Sequence, residues 1–308
     1  MRLPNVEVNA ISIRQRIVLG LTKKEMVRML AAEAGRGELI FSTSATVALR
    51  VQQALEDPDC HLETATRLIQ AEPLLSARVV AVANSAAFNR SGRVVSDVRA
   101  AVSLLGFRVV RTLATAVITR ELAGTVDALP AHRDLAARLW EHTAHVAALA
   151  QLIARRVMRQ DPETAMFAGL VHEISGFYLL SRAKDFPGLI DGAPEDPEDP
   201  EDDDDDAVSP AREIGRAVLK ALSVPAPVVA AVEVLWTGYL AFPPTTLGDT
   251  LLLADQLAPV KSPLLQGPDK NCDAAVAMID MNIGEETLVG ILAESVEEVR
   301  SLTAALRF

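Results

Sequence analysis

An all-α, multi-helix bundle in two helical blocks is the fold this sequence predicts, and three observations predict it. Half of the 308 residues are apolar but only 4% are aromatic, with Leu, Val and Ala dominant, a palette that suits helices packed on helices. Apolar residues recur at three- and four-residue steps through most of the chain. Capping residues, prolines and glycines punctuate it at short intervals, as the connections of a compact bundle require. This length can bury a core as one large or two modest domains.

Residues 1–36 read as an N-terminal helical extension packed on the helices after it. Ile11, Ile13, Ile17, Val18 and Leu19 suit a strand or a short packing segment. A helix comes next at about 23–34, where Thr22 and Glu25 have capping-box spacing and Gly35 and Gly37 end it. Met26, Val27, Met29 and Leu30 form its apolar face. The first block then runs from 43 to 123 as five short helices. Thr43 or Ser44 caps one that Asp57-Pro58 stops, the next spans about 62–70, and Pro73 opens a third carrying Leu74, Leu75, Val79, Val80 and Val82. Ser96 caps a fourth that Gly106 ends, and a long apolar fifth runs from Phe107 to Leu122.

The second block starts near Asp134. Leu135, Leu139, His142, Val146, Leu149 and Ile153 share one helical face, so His142 points inward while His145 lies one step aside. Asp161-Pro162 restarts a helix that ends at His172-Glu173, and the stretch from Ser181 to Pro187 leads into residues 191–207, which are Pro-punctuated and acidic enough to read as a disordered loop. Ser209-Pro210 opens a helix to about Leu222, Pro225 one to about Trp236, and Leu247–Leu257 forms another. Residues 241–308 make a C-terminal helical segment, with helices at about 273–281 and 285–306, the last able to pack back on the bundle or to mediate pairing.

Charge and cysteine usage exclude several functions. Residues 194–206 carry ten carboxylates and no base, and against a net charge of −11 they leave only −1 for the remainder. Neither part offers the concentrated basic surface that phosphate contacts need, so no nucleic-acid partner is expected. Uninterrupted apolar runs fall short of the ~18–20 residues of a membrane span, and Met1-Arg2-Leu3-Pro4 opens no signal-peptide core. Cys60 and Cys272 stand singly, as in a reduced cytosolic protein. The expectation is a cytoplasmic protein with no membrane contact.

Two sets of residues carry a resemblance. Ala71-Glu72-Pro73-Leu74-Leu75-Ser76, Val82-Ala83-Asn84-Ser85-Ala86-Ala87-Phe88 and Ala100-Ala101-Val102-Ser103-Leu104-Leu105-Gly106 succeed one another in that order. Trp140-Glu141-His142-Thr143 and Gly169-Leu170-Val171-His172-Glu173-Ile174 come later, a His and then a His beside a carboxylate. Over roughly 37–240 the chain resembles the HDOD family, bacterial signalling modules similar to the HD metal-dependent phosphohydrolases and usually without their activity. Glu72 stands where the family has Asp. Read without the family, Asn84 and Ser85 close an apolar helix and satisfy its free backbone groups, and Arg78 could reach Glu72 or a partner.

The resemblance implies a metal set of His142, His172, Glu173 and Asp255, whose nitrogen and oxygen donors suit Mn, Fe, Ni or Zn. Asp255 reads equally well as a solvent-side helix residue. The rest of the pattern departs from catalysis. Glu173 replaces the superfamily's Asp, Ser175-Gly176 replaces a Gly-Lys, and the positions of three further histidines fall at Ala211 and Leu235-Trp236. A two-metal site is excluded on this alignment, no cofactor is expected beyond a single divalent ion in a vestigial site, and no residue is assigned a catalytic role. The leading expectation is a non-catalytic signal-transduction module that acts on separate signalling proteins through protein–protein contacts, with a small ligand sensed between its helical blocks. The alternative is a divalent-metal phosphohydrolase acting on a nucleotide or cyclic dinucleotide.

Overall fold

Short caps and prolines set the helix boundaries of this protein. Its computed structural model describes residues 21–40, 43–122, 130–190, 210–237, 241, 244–264 and 287–307, and every regular element among them is helical. Residues 1–20, the acidic stretch 191–207, the helix expected at 273–281, Ser209, Cys272 and the capping side chains of Thr43 and Ser44 lie outside what is described.

Helix α1 (Lys23–Gly35) begins with the capping box expected: the Thr22 hydroxyl accepts from the Glu25 amide, and the Glu25 carboxylate accepts from the Thr22 amide at 2.8 Å. The first block continues as α2 (Thr43–Ala54), α3 (Leu62–Gln70), α4 (Pro73–Ala83) and α5 (Val98–Leu122). Glu72 caps α4 by accepting from the Leu74 amide, with Pro73 in the first turn. Asn84 pins the loop after α4 by donating to the carbonyls of Val80 and Val95 and accepting from the Val95 amide. The turn-stabilising role expected of Asn84 and Ser85 therefore holds. Gly106 interrupts α5 at φ +75°, ψ 163°, a conformation that disfavours any residue with a Cβ. It separates the two expected helices without a loop between them. By length and composition α5 could cross a membrane, but Val109, Val110, Leu113, Val117 and Ile118 along it are buried in the protein core.

The second block comprises α6 (Pro130–Ile153), α7 (Pro162–Val171), α8 (Ile174–Arg182), α9 (Pro210–Ala221), α10 (Ala226–Thr237) and α11 (Leu247–Leu257). A π-helical turn at Ala154–Met158 extends α6 and ends at Arg159, which is left-handed at φ +54°. Helix α8 was not expected. The sequence read as ending its helix at His172-Glu173, whereas the chain bends there and restarts at once, burying Ile174, Phe177, Tyr178 and Leu180. The C-terminal helix expected over 285–306 is two, α12 (Leu288–Glu294) and α13 (Val296–Leu306), divided at Ser295.

The chain ends close the bundle. Instead of packing on its neighbours in the chain, α1 lies across α9, nearly two hundred residues away, and its buried Glu33 pairs with the buried Arg182 at 3.2 Å. Helix α13 packs back on the bundle, the first of its two expected fates, and lies against both α4 and α6. Arg78 of α4 reaches the far end of the chain. It donates to the carbonyls of Ala305 and Arg307, at 2.5 Å each, while the Trp140 indole donates to Leu306 at 3.0 Å. Side chains from both blocks thus satisfy the free carbonyls at the end of α13.

Helices α6 and α7 approach closely at Gly169. A Cβ built there would lie 2.5 Å from the Ala147 Cα and 2.8 Å from its amide nitrogen, backbone atoms that cannot swing aside. Gly169→Ala should therefore lower stability by about 1–3 kcal/mol, although Ala is ordinarily the better helix former. Urea denaturation checks this, and an unchanged midpoint would show that the crossing relaxes freely.

Candidate metal centre

The crossing at Gly169 sets the distance between two histidines. His142 lies on α6, five residues before Ala147, and His172 caps the C-terminal end of α7, three residues after Gly169. Their Nε2 atoms are 3.1 Å apart and both rings are buried. Glu173 sits at the bend between α7 and α8, where the chain leaves helical geometry, and is 5% exposed. His142, His172 and Glu173 bring one donor atom each to within 4.8 Å of one another. Asp255, near the end of α11, faces them, its Oδ1 3.2 Å from His142 Nε2. Of its two sequence readings, the inward one is observed.

The hydrogen bonds assign the protons. His142 Nδ1 lies 2.7 Å from the Val260 carbonyl and His172 Nδ1 lies 2.7 Å from the Gly169 carbonyl. A carbonyl only accepts, so both Nδ1 atoms carry hydrogen, and two neutral rings would bring two Nε2 lone pairs together. At 3.1 Å such a pair requires a proton or a cation between them. Burial opposes charge on His142, but the bond to Asp255, the Val260 carbonyl and the nearby Glu173 outweigh it and raise its pKa. Burial dominates at His172 and holds its pKa below the ordinary imidazole value despite Glu173. Asp255 is also penalised by burial, yet the hydrogen bond from His142 and the charges of His172, His142 and Lys261 keep its pKa low. Glu173 Oε1 is buried with no hydrogen-bond partner among the described residues, a costly state for a carboxylate oxygen.

These residues fit a divalent ion. Two donor atoms sharing one ion at bonds of about 2.1 Å stand roughly 3.0–3.4 Å apart, which matches the His142–His172 and His142–Asp255 separations. Metal-bound histidines commonly donate their other ring N–H to a backbone carbonyl, and both do so here. The orphaned Glu173 oxygen is a further donor awaiting a positive partner.

Packing crowds two flanks of the cluster. A Cβ at Gly176 would run into Leu264 Cδ1 and come within 3.5 Å of a Glu173 carboxylate oxygen. At Gly215, a Cβ would meet the Trp236 ring at 2.6 Å and Ser175 Cβ at 3.5 Å. Trp236 is held there by Arg212, which donates to its carbonyl at 2.7 Å, and by Arg216 over its ring. An indole thus occupies the flank beside Ser175.

A family model for the HDOD domain matches residues 42–236, well over half of the chain. The chain belongs to the HDOD family. Solved structures agree in fold. A protein of Shewanella amazonensis SB2B, provisionally described as a metal-dependent phosphohydrolase, is 23% identical with a TM-score of 0.65, covering 92% of this chain and 99% of the other. An HDOD domain protein of unknown function from Geobacter sulfurreducens is 20% identical with a TM-score of 0.57, covering 92% and 97%. A protein of Marinobacter aquaeolei VT8, provisionally described as a signal transduction protein, is 17% identical with a TM-score of 0.53, covering 95% and 68%. A search of the curated proteins finds no match.

In this HDOD protein the sequence reading missed the Gly169 and Val260 carbonyls and Lys261, whose charge reaches Asp255. Backbone carbonyls leave no mark in a sequence. The support beneath Asp255 was legible only in part. Thr246 and Asp249 form a capping box at the start of α11, and the buried Asp249 accepts from the amides of Ala241, Thr245 and Thr246 and from the Thr246 hydroxyl. Burial raises the Asp249 pKa, but those four bonds outweigh it and hold the carboxyl below its ordinary value. A depressed pKa contributes stability above the unfolded value, near 3.9, that is lost as pH falls through the folded one. Asp249→Asn should cost about 1–3 kcal/mol at neutral pH and flatten the acid limb of a stability–pH curve. Equal acid limbs in the two proteins would contradict this.

Proposed function

We propose that this HDOD protein is a non-hydrolytic signalling module in which His142, His172, Glu173 and Asp255 hold one divalent metal ion in a closed site. Its output passes to separate signalling proteins through protein–protein contacts. The observation that carries the reading is that His142, His172 and Glu173 are buried with donor atoms within 4.8 Å of one another and that Asp255 faces them. Closed sites with every position taken by protein are characteristic of structural ions, while catalytic ones keep a position open for water or substrate. When bound, the ion supplies positive charge against the two carboxylates. The residues that hold it come from α6, from the α7–α8 bend and from α11, so binding ties three parts of the second block together.

Hydrolysis at phosphorus would ask more of the chain: an open coordination position, and a cation to meet the phosphate. Leu264 and Trp236 stand against Gly176 and Gly215. The HD-type lysine position is occupied by Gly176, and the three further histidine positions by Ala211, Leu235 and Trp236. The second reading, a phosphohydrolase of nucleotides or cyclic dinucleotides, is favoured by one observation, that two histidines and a carboxylate bring donor atoms within 4.8 Å of one another.

Elemental analysis of protein purified without a metal-affinity tag, beside His172→Ala and an assay with bis(4-nitrophenyl) phosphate, separates the two. We expect near-stoichiometric Mn, Fe, Ni or Zn that is lost in His172→Ala, a lower melting temperature in that variant, and no turnover in either protein. Phosphodiester turnover that disappears in His172→Ala would overturn the proposal in favour of the enzyme. Absence of metal from a folded wild-type protein would overturn the metal assignment.

A further inference from the structure

Helix α13 lies outside residues 42–236, the part of the chain that the family model matches, yet it packs against both α4 and α6 within that part. Only one face of α13 enters the groove between them. Leu302, Ala305 and Leu306 are buried, whereas Val296 is 60% exposed and Glu297 pairs with Arg300 in solvent. A helix of 11 residues is too short to be stable by itself in water. The groove therefore supplies much of what keeps α13 helical.

What the groove recognises is mostly backbone. Arg78 and Trp140, both buried, donate to the carbonyls of Ala305, Leu306 and Arg307. Those are the carbonyls that any helix leaves free in its last turn. Side-chain contacts lie along the rim, where Arg155 meets Glu298 at 2.5 Å, Arg156 meets Glu294 at 3.2 Å and Arg307 meets Glu141 at 2.7 Å. Partly exposed pairs of this kind contribute little to stability and more to register. Beneath the helix the Thr303 hydroxyl is buried with no hydrogen-bond partner among the described residues, which opposes docking. The fit of α13 is thus good at its end and imperfect along its length.

We propose that this groove is a docking site for an amphipathic helix of a partner protein, and that α13 occupies it in cis. The chemistry of the partner follows from what α13 presents: apolar residues spaced as Leu302, Ala305 and Leu306, and an acidic residue four positions ahead of the first, where Glu298 meets Arg155. Its last-turn carbonyls take the donors of Arg78 and Trp140. Because α13 is tethered it competes intramolecularly, and a partner gains access as α13 is loosened. The proposal gives a surface to the protein–protein output proposed above and rests on that reading. It uses none of the metal-binding residues, so its failure would leave the metal and turnover results standing.

A fluorescently labelled peptide of residues 287–307 is the probe, titrated into the full chain and followed by anisotropy. Leu302→Asp in the full chain loosens α13 and leaves the groove unaltered, and this variant should bind the peptide at least about tenfold more tightly than wild type does. A peptide that itself carries Leu302→Asp should bind neither protein. Adding Arg78→Met to the Leu302→Asp chain should weaken peptide binding about fivefold or more, through loss of the donors to the helix end. Circular dichroism melts establish which variants are folded. Should Leu302→Asp not fold, Glu294→Gln with Glu298→Gln loosens α13 through rim charges alone and should also raise peptide affinity. No gain in binding by whichever of these chains is folded would overturn the proposal and make α13 a fixed part of the core. Binding undiminished by folded Leu302→Asp/Arg78→Met would overturn it as well.

Discussion

The approach of α6 to α7 at Gly169 is the constraint on which the rest of the second block depends. With no Cβ at that position, the Ala147 backbone comes closer than any side chain would permit. Closeness there carries over to His142 and His172, which stand on either side of the crossing. Two rigid helices held at one short contact can vary their separation little within a turn or two of it. The 3.1 Å between the two Nε2 atoms combines that backbone approach with the Nδ1 bonds that orient each ring.

Around that crossing the protein spends polar groups on orientation. Each imidazole is anchored through Nδ1 to a carbonyl, Asp255 is held at His142, and Glu173 is carried inward by the bend between α7 and α8. Three of these residues are almost fully buried, at 1%, 2% and 5% exposure. Burying so many ionisable groups is unfavourable unless charge is balanced within the cluster. Two carboxylates facing two imidazoles, one of them with a raised pKa, achieve part of that balance, and a divalent ion would complete it.

The two blocks are joined by the last helix as well as by direct packing. The carbonyls that end α13 accept from Arg78 of the first block and Trp140 of the second. Arg155 and Arg156 add ion pairs to Glu298 and Glu294 along α12 and α13. Helix α1 performs a comparable task on the other side by lying on α9. Both are contacts between segments far apart in the chain, and each block therefore relies on elements outside itself for closure.

The sequence by itself determined the helical class, most helix boundaries and the four residues of the candidate centre. Those features are local. A capping box such as Thr22-Glu25, a proline in a first turn and a three- and four-residue apolar rhythm act within a few residues of where they are written. His142, His172, Glu173 and Asp255 were legible because they match an HD-type pattern, and the inward face of α6 already placed His142. Only the tertiary structure decided that Asp255 turns inward and that α8 continues from Glu173 without a gap. It also decided that Arg78 binds the end of α13 and that Trp236 rests on Gly215. Each of these depends on which distant surface arrives at a side chain. That is set by the summed burial of the whole core, a quantity no short stretch of sequence contains.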